Sequence, residues 1–221
     1  MRAPRSCAHH AQPFRARRRT GGLSHLEAPI RFTWPPRLLG LGPPLNLVTG
    51  SPEHRRGLGR RALESVAFAV AAAIVVAVID QLLFGGETAR RTPALDAHPT
   101  PPARVAVTFI GGLLEELVFR ACFATAVATA VLFALRRGVG ERASHVAAAQ
   151  WTGTIAAALL VGVWHVGMVG DAASGGARVL AVNAVGNVLY GWTYWRRGLE
   201  LSTLTHGTLN ATLYLGMPLL H

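Results

Sequence analysis

Long stretches almost free of polar side chains alternate along the chain with short connectors rich in arginine, glycine and proline. The apolar stretches fall at about 62–84, 105–135, 149–169, 178–195 and 201–220. A hydrocarbon core about 30 Å thick takes roughly 20 apolar residues as helix. The pattern therefore predicts an all-α, multi-pass transmembrane helical bundle of about five spans. The second stretch is long enough to span and still project at one end, or to break at Gly111-Gly112. Between the first two, GGETARRTPALDAHPTPPA reads as a polar, proline-punctuated loop. No internal repeat is visible, so residues 62–221 are expected to form one domain.

Residues 1–61 differ from this body. They read RARRRTGG, WPPRLLGLGPP and SPEHRRGLGRR, a composition that buries little and breaks helices repeatedly. A disordered basic leader is expected there, and an over-extended gene start also fits. A cleavable signal would place its apolar region within about the first 15–30 residues. Here the first long apolar run starts near Ala62 and reads as an anchor.

Composition sharpens the class. Of the 221 residues 51% are hydrophobic and 15% charged, against about a quarter charged in soluble domains. The net charge of +11 is concentrated in the leader, where 12 arginines face only Glu27 and Glu53. Only Phe14, Phe32 and Trp34 are aromatic among these 61 residues, too few for a single-strand binding surface, so nucleic acid is not expected as a partner. All 22 basic residues are arginine, a skew that points to a GC-rich genome and, with the spans, to a bacterial cytoplasmic membrane.

Two cysteines, Cys7 and Cys122, allow neither a disulfide framework nor a cysteine metal site. Arginine-rich connectors belong inside the cell. Placing Arg136, Arg137, Arg142, Arg196 and Arg197 there puts the N-terminus inside and the C-terminus outside.

Against this apolar background, charge inside a span has to be explained. GGLLEELVFR, at 111–120, carries two glutamates and an arginine, and a charge at mid-bilayer costs about 2.5–3.5 kcal/mol on insertion scales. Glu116 and Arg120 are four apart, acid first, and can pair on one helix face. Glu115 lies about 100° round the helix and stays free for proton transfer. The alternative is a pair of acids at a helix start near the headgroups, where the dipole tolerates them.

Two further polar intrusions follow. His165 ends the apolar run LLVGVWH, where structural hydrogen bonding is the common role for an isolated histidine. In LSTLTHGTLNATLYL, His206 and Asn210 are four apart and share a face. A free carboxylate, two imidazoles and an amide are the groups needed to activate water and stabilise an oxyanion. By helix rise alone His165 lies nearer the outer boundary and His206 nearer the inner one. Asn183 and Asn187 share another face and can join helices. His145 falls at an interface, and the sequon at Asn210 lies inside a span.

In their order, EELVFR (Glu115, Glu116, Arg120), VGVWH (ending at His165) and HGTLN (His206, Asn210) resemble the three signatures of the CPBP family. These intramembrane proteases are also known as the CAAX-protease and bacteriocin-processing or Abi family. The approach GWTYWRRGLELSTLTHGTLN is similar as well, and the resemblance covers about residues 103–215. One departure is Val161, where the family has phenylalanine. The resemblance implies an intramembrane endopeptidase acting on membrane-associated, prenylated or leader-peptide substrates. Glu115 would be the general base on a water, assisted by His165. His206 and Asn210 would hold that water or the oxyanion, and Glu116 with Arg120 would brace the helix.

No cofactor is required by these residues. Glu115, His165 and His206 would nonetheless be a legitimate zinc set, although a His-Glu-x-x-His helix is absent. Two other functions stay open at this point. One is a proton-coupled transporter or channel, and the other a catalytically idle scaffold or bacteriocin-immunity protein.

Overall fold

A computed structural model of the chain describes residues 57–85, 100–139, 143–169 and 172–216. The expected leader up to residue 56, the loop at 86–99, Cys7 and His221 lie outside the described residues. All described elements are helical and no strand occurs among them. They are α1 (Leu58–Phe84), α2 (Pro101–Glu115), a π-helical stretch (Glu116–Ala124), α3 (Thr125–Val139), α4 (Ala143–Val169), α5 (Ala172–Arg197), α6 (Leu199–Ala211) and a terminal π turn (Thr212–Gly216). α2, the π stretch and α3 form one continuous helix.

Among the described residues three helices have the length and apolarity to cross a bilayer: Leu58–Phe84, Pro101–Arg137 and Ala143–Gly167. α5 is long enough at 26 residues but carries arginine and asparagine along its length. α6 has only 13 residues before its π turn. Both helices replace lipid contact by contact with their neighbours. At their polar ends the helices outrun the apolar stretches, and residues 58–61, read from sequence as leader, are the first turn of α1.

The outer faces of α1, α2 and α4 present large apolar side chains, among them Leu82, Leu63, Ile110, Leu114, Leu159 and Val163. The interior is built on small residues. Ala69 and Ala73 of α1 pack with Val76, Tyr190, Leu209 and Leu213. Ala124, Ala128, Ala149 and Ala157 pack with Tyr194, Trp195 and Leu199. Apolar surface gains little by leaving lipid, so close packing of small side chains holds such helices together. α5 contributes tyrosines to both clusters, and α6 is wedged between α1, α2 and α5. Seven of its 13 residues are buried, which makes it the central helix.

α1 and α5 are fastened at both ends. Near one end Arg178 Nε meets the buried Asp80 at 2.6 Å. Near the other, Arg197 binds Glu64 at 3.1 Å and the Ser65 hydroxyl and Arg61 carbonyl at 3.0 Å, and also lies over the Phe68 and Trp192 rings. Sequence reading passed over Asp80 and Arg178. Intramembrane charges that face inward and pair are how such residues are tolerated.

Gly198 turns α5 into α6 with φ 93 and ψ 175, a conformation open essentially to glycine. The turn is so short that Tyr190 and Ser202 come side by side across it.

The helix does not break at Gly111-Gly112 but runs on to the π stretch. Gly111 faces open space, whereas a Cβ on Gly112 would stand 3.4 Å from His206 Cγ. At Gly153 a Cβ would run into the backbone oxygen of Ala124, which cannot yield as a side chain can.

Gly153→Ala is therefore expected to destabilise the protein by about 1–3 kcal/mol, the usual cost of overpacking. Gly111→Ala should leave stability unchanged or slightly raised. Equilibrium unfolding of both variants in detergent micelles checks the contrast; equal stabilities would contradict the close approach of α4 to the π stretch.

Candidate active site

Glu115 and Glu116 sit at the junction of α2 and the π stretch, well inside the 37-residue helix Pro101–Arg137. This excludes the alternative of acids at a helix start. The two side chains part there. Glu116 is 1% exposed and Glu115 is 23% exposed.

Glu116 is gripped by two α6 residues one turn apart. His206 Nδ1 lies 3.1 Å from Oε1, and the Ser202 hydroxyl bonds Oε2. The same hydroxyl lies 2.9 Å from the Tyr190 carbonyl, so its one proton is shared between an α5 acceptor and the carboxylate.

Arg120 Nε is 3.7 Å from Glu116 Oε1, a charge contact too long for a hydrogen bond. The guanidinium donates instead through Nη2 to the side-chain oxygen of Asn187 and, at 3.4 Å, to its carbonyl. Nε and Nη1 have no hydrogen-bond partner among the described residues. The brace expected between Glu116 and Arg120 is thus only part of the arrangement. Each charge is held chiefly by a different neighbouring helix, the acid by α6 and the base by α5.

The carboxylate of Glu116 accepts from His206 Nδ1–H, and in a neutral ring this leaves the Nε2 lone pair turned to Glu115 Oε2 at 3.8 Å. His165 is arranged in parallel. Its Nδ1–H donates to the Val161 carbonyl at 2.9 Å, one turn back on α4, and Nε2 faces Glu115 Oε1 at 3.9 Å. A carbonyl can only accept, so this contact fixes the tautomer. The Val161 side chain is itself buried, and what its position supplies to the site is a backbone oxygen.

Glu115, His165 and His206 are therefore together, although helix rise placed the two imidazoles at different depths. One carboxylate offers one oxygen to each. Asn210 follows His206 by one turn, is half-buried and makes no hydrogen bond to these three among the described residues. His145 lies in the first turn of α4, away from the cluster.

Two groups that sequence reading missed complete the walls. Ser202 precedes His206 by four residues, so Ser202, His206 and Asn210 form a single stripe that the spacing could have revealed. On α5, the face of Asn183 and Asn187 continues to Tyr190, whose ring stacks on His206 with centroids 4.1 Å apart. Asn187 does join helices, through Arg120.

With both rings neutral, the converging set offers only acceptors: two nitrogen lone pairs and a carboxylate. Its chemistry suits zinc, but its geometry does not close on one. Two ligands on a tetrahedral zinc stand about 3.4 Å apart, less than the 3.8 and 3.9 Å spans here. Among the described residues no three His, Cys, Asp or Glu are grouped to hold a metal ion. No step below runs through a metal.

Asn187→Ala would leave the buried Arg120 guanidinium with only the long, 3.4 Å contact to the backbone carbonyl at position 187 as an acceptor on α5. Losing a partner of a buried polar group costs about 1–3 kcal/mol, more for a charged one. Among the described residues the Asn183 side chain bonds only the Val179 carbonyl of its own helix, so Asn183→Ala should cost far less. Chemical denaturation in micelles measures the difference.

No curated protein and no solved structure matches the chain. A family model does: the type II CAAX prenyl endopeptidase Rce1-like model matches residues 98–212, just over half of the chain and all of the polar cluster. With its membrane-spanning helices and these motif residues, the chain is an integral membrane protein that belongs to the Rce1-like family of CAAX proteases.

Proposed function

We propose that the protein is an intramembrane endopeptidase that hydrolyses a peptide bond with a water activated by Glu115. The observation that carries this reading is the pair of Nε2 atoms facing one carboxylate at 3.8 and 3.9 Å. Those gaps are too long for direct hydrogen bonds and of a size that a bridging water fills. A water is also what the set lacks, since it brings protons to groups that only accept them.

In this mechanism the water donates one proton to Glu115 and the other to an imidazole Nε2. Glu115 removes the first as the water oxygen attacks the scissile carbonyl carbon. The carbonyl π electrons move to oxygen, and Asn210 Nδ2–H donates to that oxyanion. When the C–N bond breaks, Glu115 returns the proton to the leaving nitrogen. Through that second proton one of the two imidazoles, His165 or His206, holds the water, and Glu116 with Arg120 keeps His206 and the helix in register. The partial exposure of Glu115, against the burial of Glu116, supports this division of labour.

Membership of the type II CAAX prenyl endopeptidase family makes a prenylated CAAX peptide the first substrate to try. Leader peptides and membrane-protein tails are the other candidates. Arg60 and Arg61, Arg136 and Arg137, and Arg196 and Arg197 all lie at connector ends that the positive-inside rule places in the cytoplasm. The N-terminus is accordingly assigned inside. Protection of an N-terminal tag from protease in right-side-out vesicles tests this orientation, and digestion of the tag would reverse it.

Glu115→Gln in lipid vesicles containing a farnesylated CAAX reporter should lower cleavage about 10²–10⁴-fold, the range for losing a general base. Its melting temperature should stay near that of the unaltered protein. Cleavage that survives both Glu115→Gln and His206→Ala would refute the hydrolytic reading. A fall in stability matching the fall in activity would favour a scaffold.

A further inference from the structure

The motif residues fix what His206 is bonded to, but not how its ring is turned. A single hydrogen bond from Nδ1 to Glu116 leaves the imidazole free to swing about that contact. A swing of this kind carries Nε2 away from Glu115.

The ring is held by something else. Tyr190 of α5 lies face to face with it, 4.1 Å between centroids and 11° from parallel. Tyr190 is 4% exposed and belongs to the cluster of Ala69, Ala73, Val76, Leu209 and Leu213, so it cannot follow a rotating partner. Its backbone is tied to α6 as well, through the Ser202 hydroxyl 2.9 Å from the Tyr190 carbonyl. Ser202 also bonds Glu116. Glu116, Ser202, Tyr190 and His206 thus close a loop that spans three helical elements. On the α2 side, Gly112 lets the backbone come near enough that an added Cβ would touch His206 Cγ and Cδ2.

We infer that Tyr190 is a positioning residue, setting the plane of the His206 imidazole so that Nε2 points at Glu115. The consequence for turnover rests on the hydrolytic reading proposed above; the consequence for ring orientation does not. Stacking requires the ring and not the hydroxyl. Phenylalanine should therefore serve in its place, whereas an aliphatic side chain of similar bulk should not.

The test uses the full chain in lipid nanodiscs and two readouts. Tyr190→Phe should keep kcat on the farnesylated CAAX reporter within about twofold. Tyr190→Leu and Tyr190→Met should lower kcat on the order of 10- to 100-fold, the effect of a small misplacement of a reacting group. KM should stay within about threefold, because Tyr190 is only 4% exposed and offers a substrate little surface.

Independently, NMR of histidine-labelled protein should show the His206 ring protons shifted upfield by the tyrosine ring current. The shift should be kept in Tyr190→Phe and lost in the two aliphatic variants, and this readout needs no cleavable substrate. The inference is overturned if the aliphatic variants keep the His206 shift, or if they keep full kcat. It is equally overturned if Tyr190→Phe loses as much kcat as they do. Should Tyr190→Leu fail to fold, Tyr190→Met carries the same comparison.

Discussion

A carboxylate and a guanidinium placed almost wholly out of solvent within an apolar helix impose the first constraint on this fold. Each buried ion carries a desolvation penalty of several kcal/mol, which attraction between the two offsets only when further hydrogen bonds meet their remaining lone pairs and protons. At 3.7 Å, Glu116 and Arg120 do not satisfy one another. Ser202 and His206 must come to the acid and Asn187 to the base. Two helices with no large apolar face are thereby drawn against the third, and the cluster around Glu115 forms where they meet.

That demand accounts for the unusual character of α5 and α6. A helix bathed in lipid has no use for Asn183, Asn187, Ser202 or Thr205. These residues are tolerable because α5 and α6 pack mainly against other helices, with small residues on α1 and glycines at the close crossings allowing the approach. The ion pairs Asp80–Arg178 and Glu64–Arg197 then fix α5 lengthwise along α1. The vertical register of Asn187 and Tyr190 is set from both ends.

Much of this was legible in the residues, and the limits have a physical cause. Spacing within one helix is simple arithmetic, so the Glu116–Arg120 contact and the shared face of His206 and Asn210 could be read directly. So could the freedom of Glu115, which follows from its angle to Glu116. Partners on other helices could not be read in this way: nothing local says that Asn187 takes the guanidinium or that Tyr190 meets an imidazole. Length and apolarity also overstate membrane contact where a segment is sheltered by its neighbours, as α6 is. The widening of the helix after Glu115 has no sequence marker of the kind that proline gives a kink.

That widening carries a constraint on variation in this region. A π-helical stretch holds more chain per turn than its surroundings, and such stretches often sit at functional sites. Here it covers nine residues, Glu116–Ala124. Removing any single one while the remainder keeps its wide turns would rotate everything downstream by nearly a quarter-turn while leaving Gly112 and Glu115 in place. Ala124 and Ala128 would then no longer meet Gly153, and α4 would lose the seat that brings His165 to the carboxylate. Length in this segment is thus restrictive, as residue identity is: substitutions can be absorbed one at a time, but a deletion that the helix does not take up by tightening disengages half of the site from the other half.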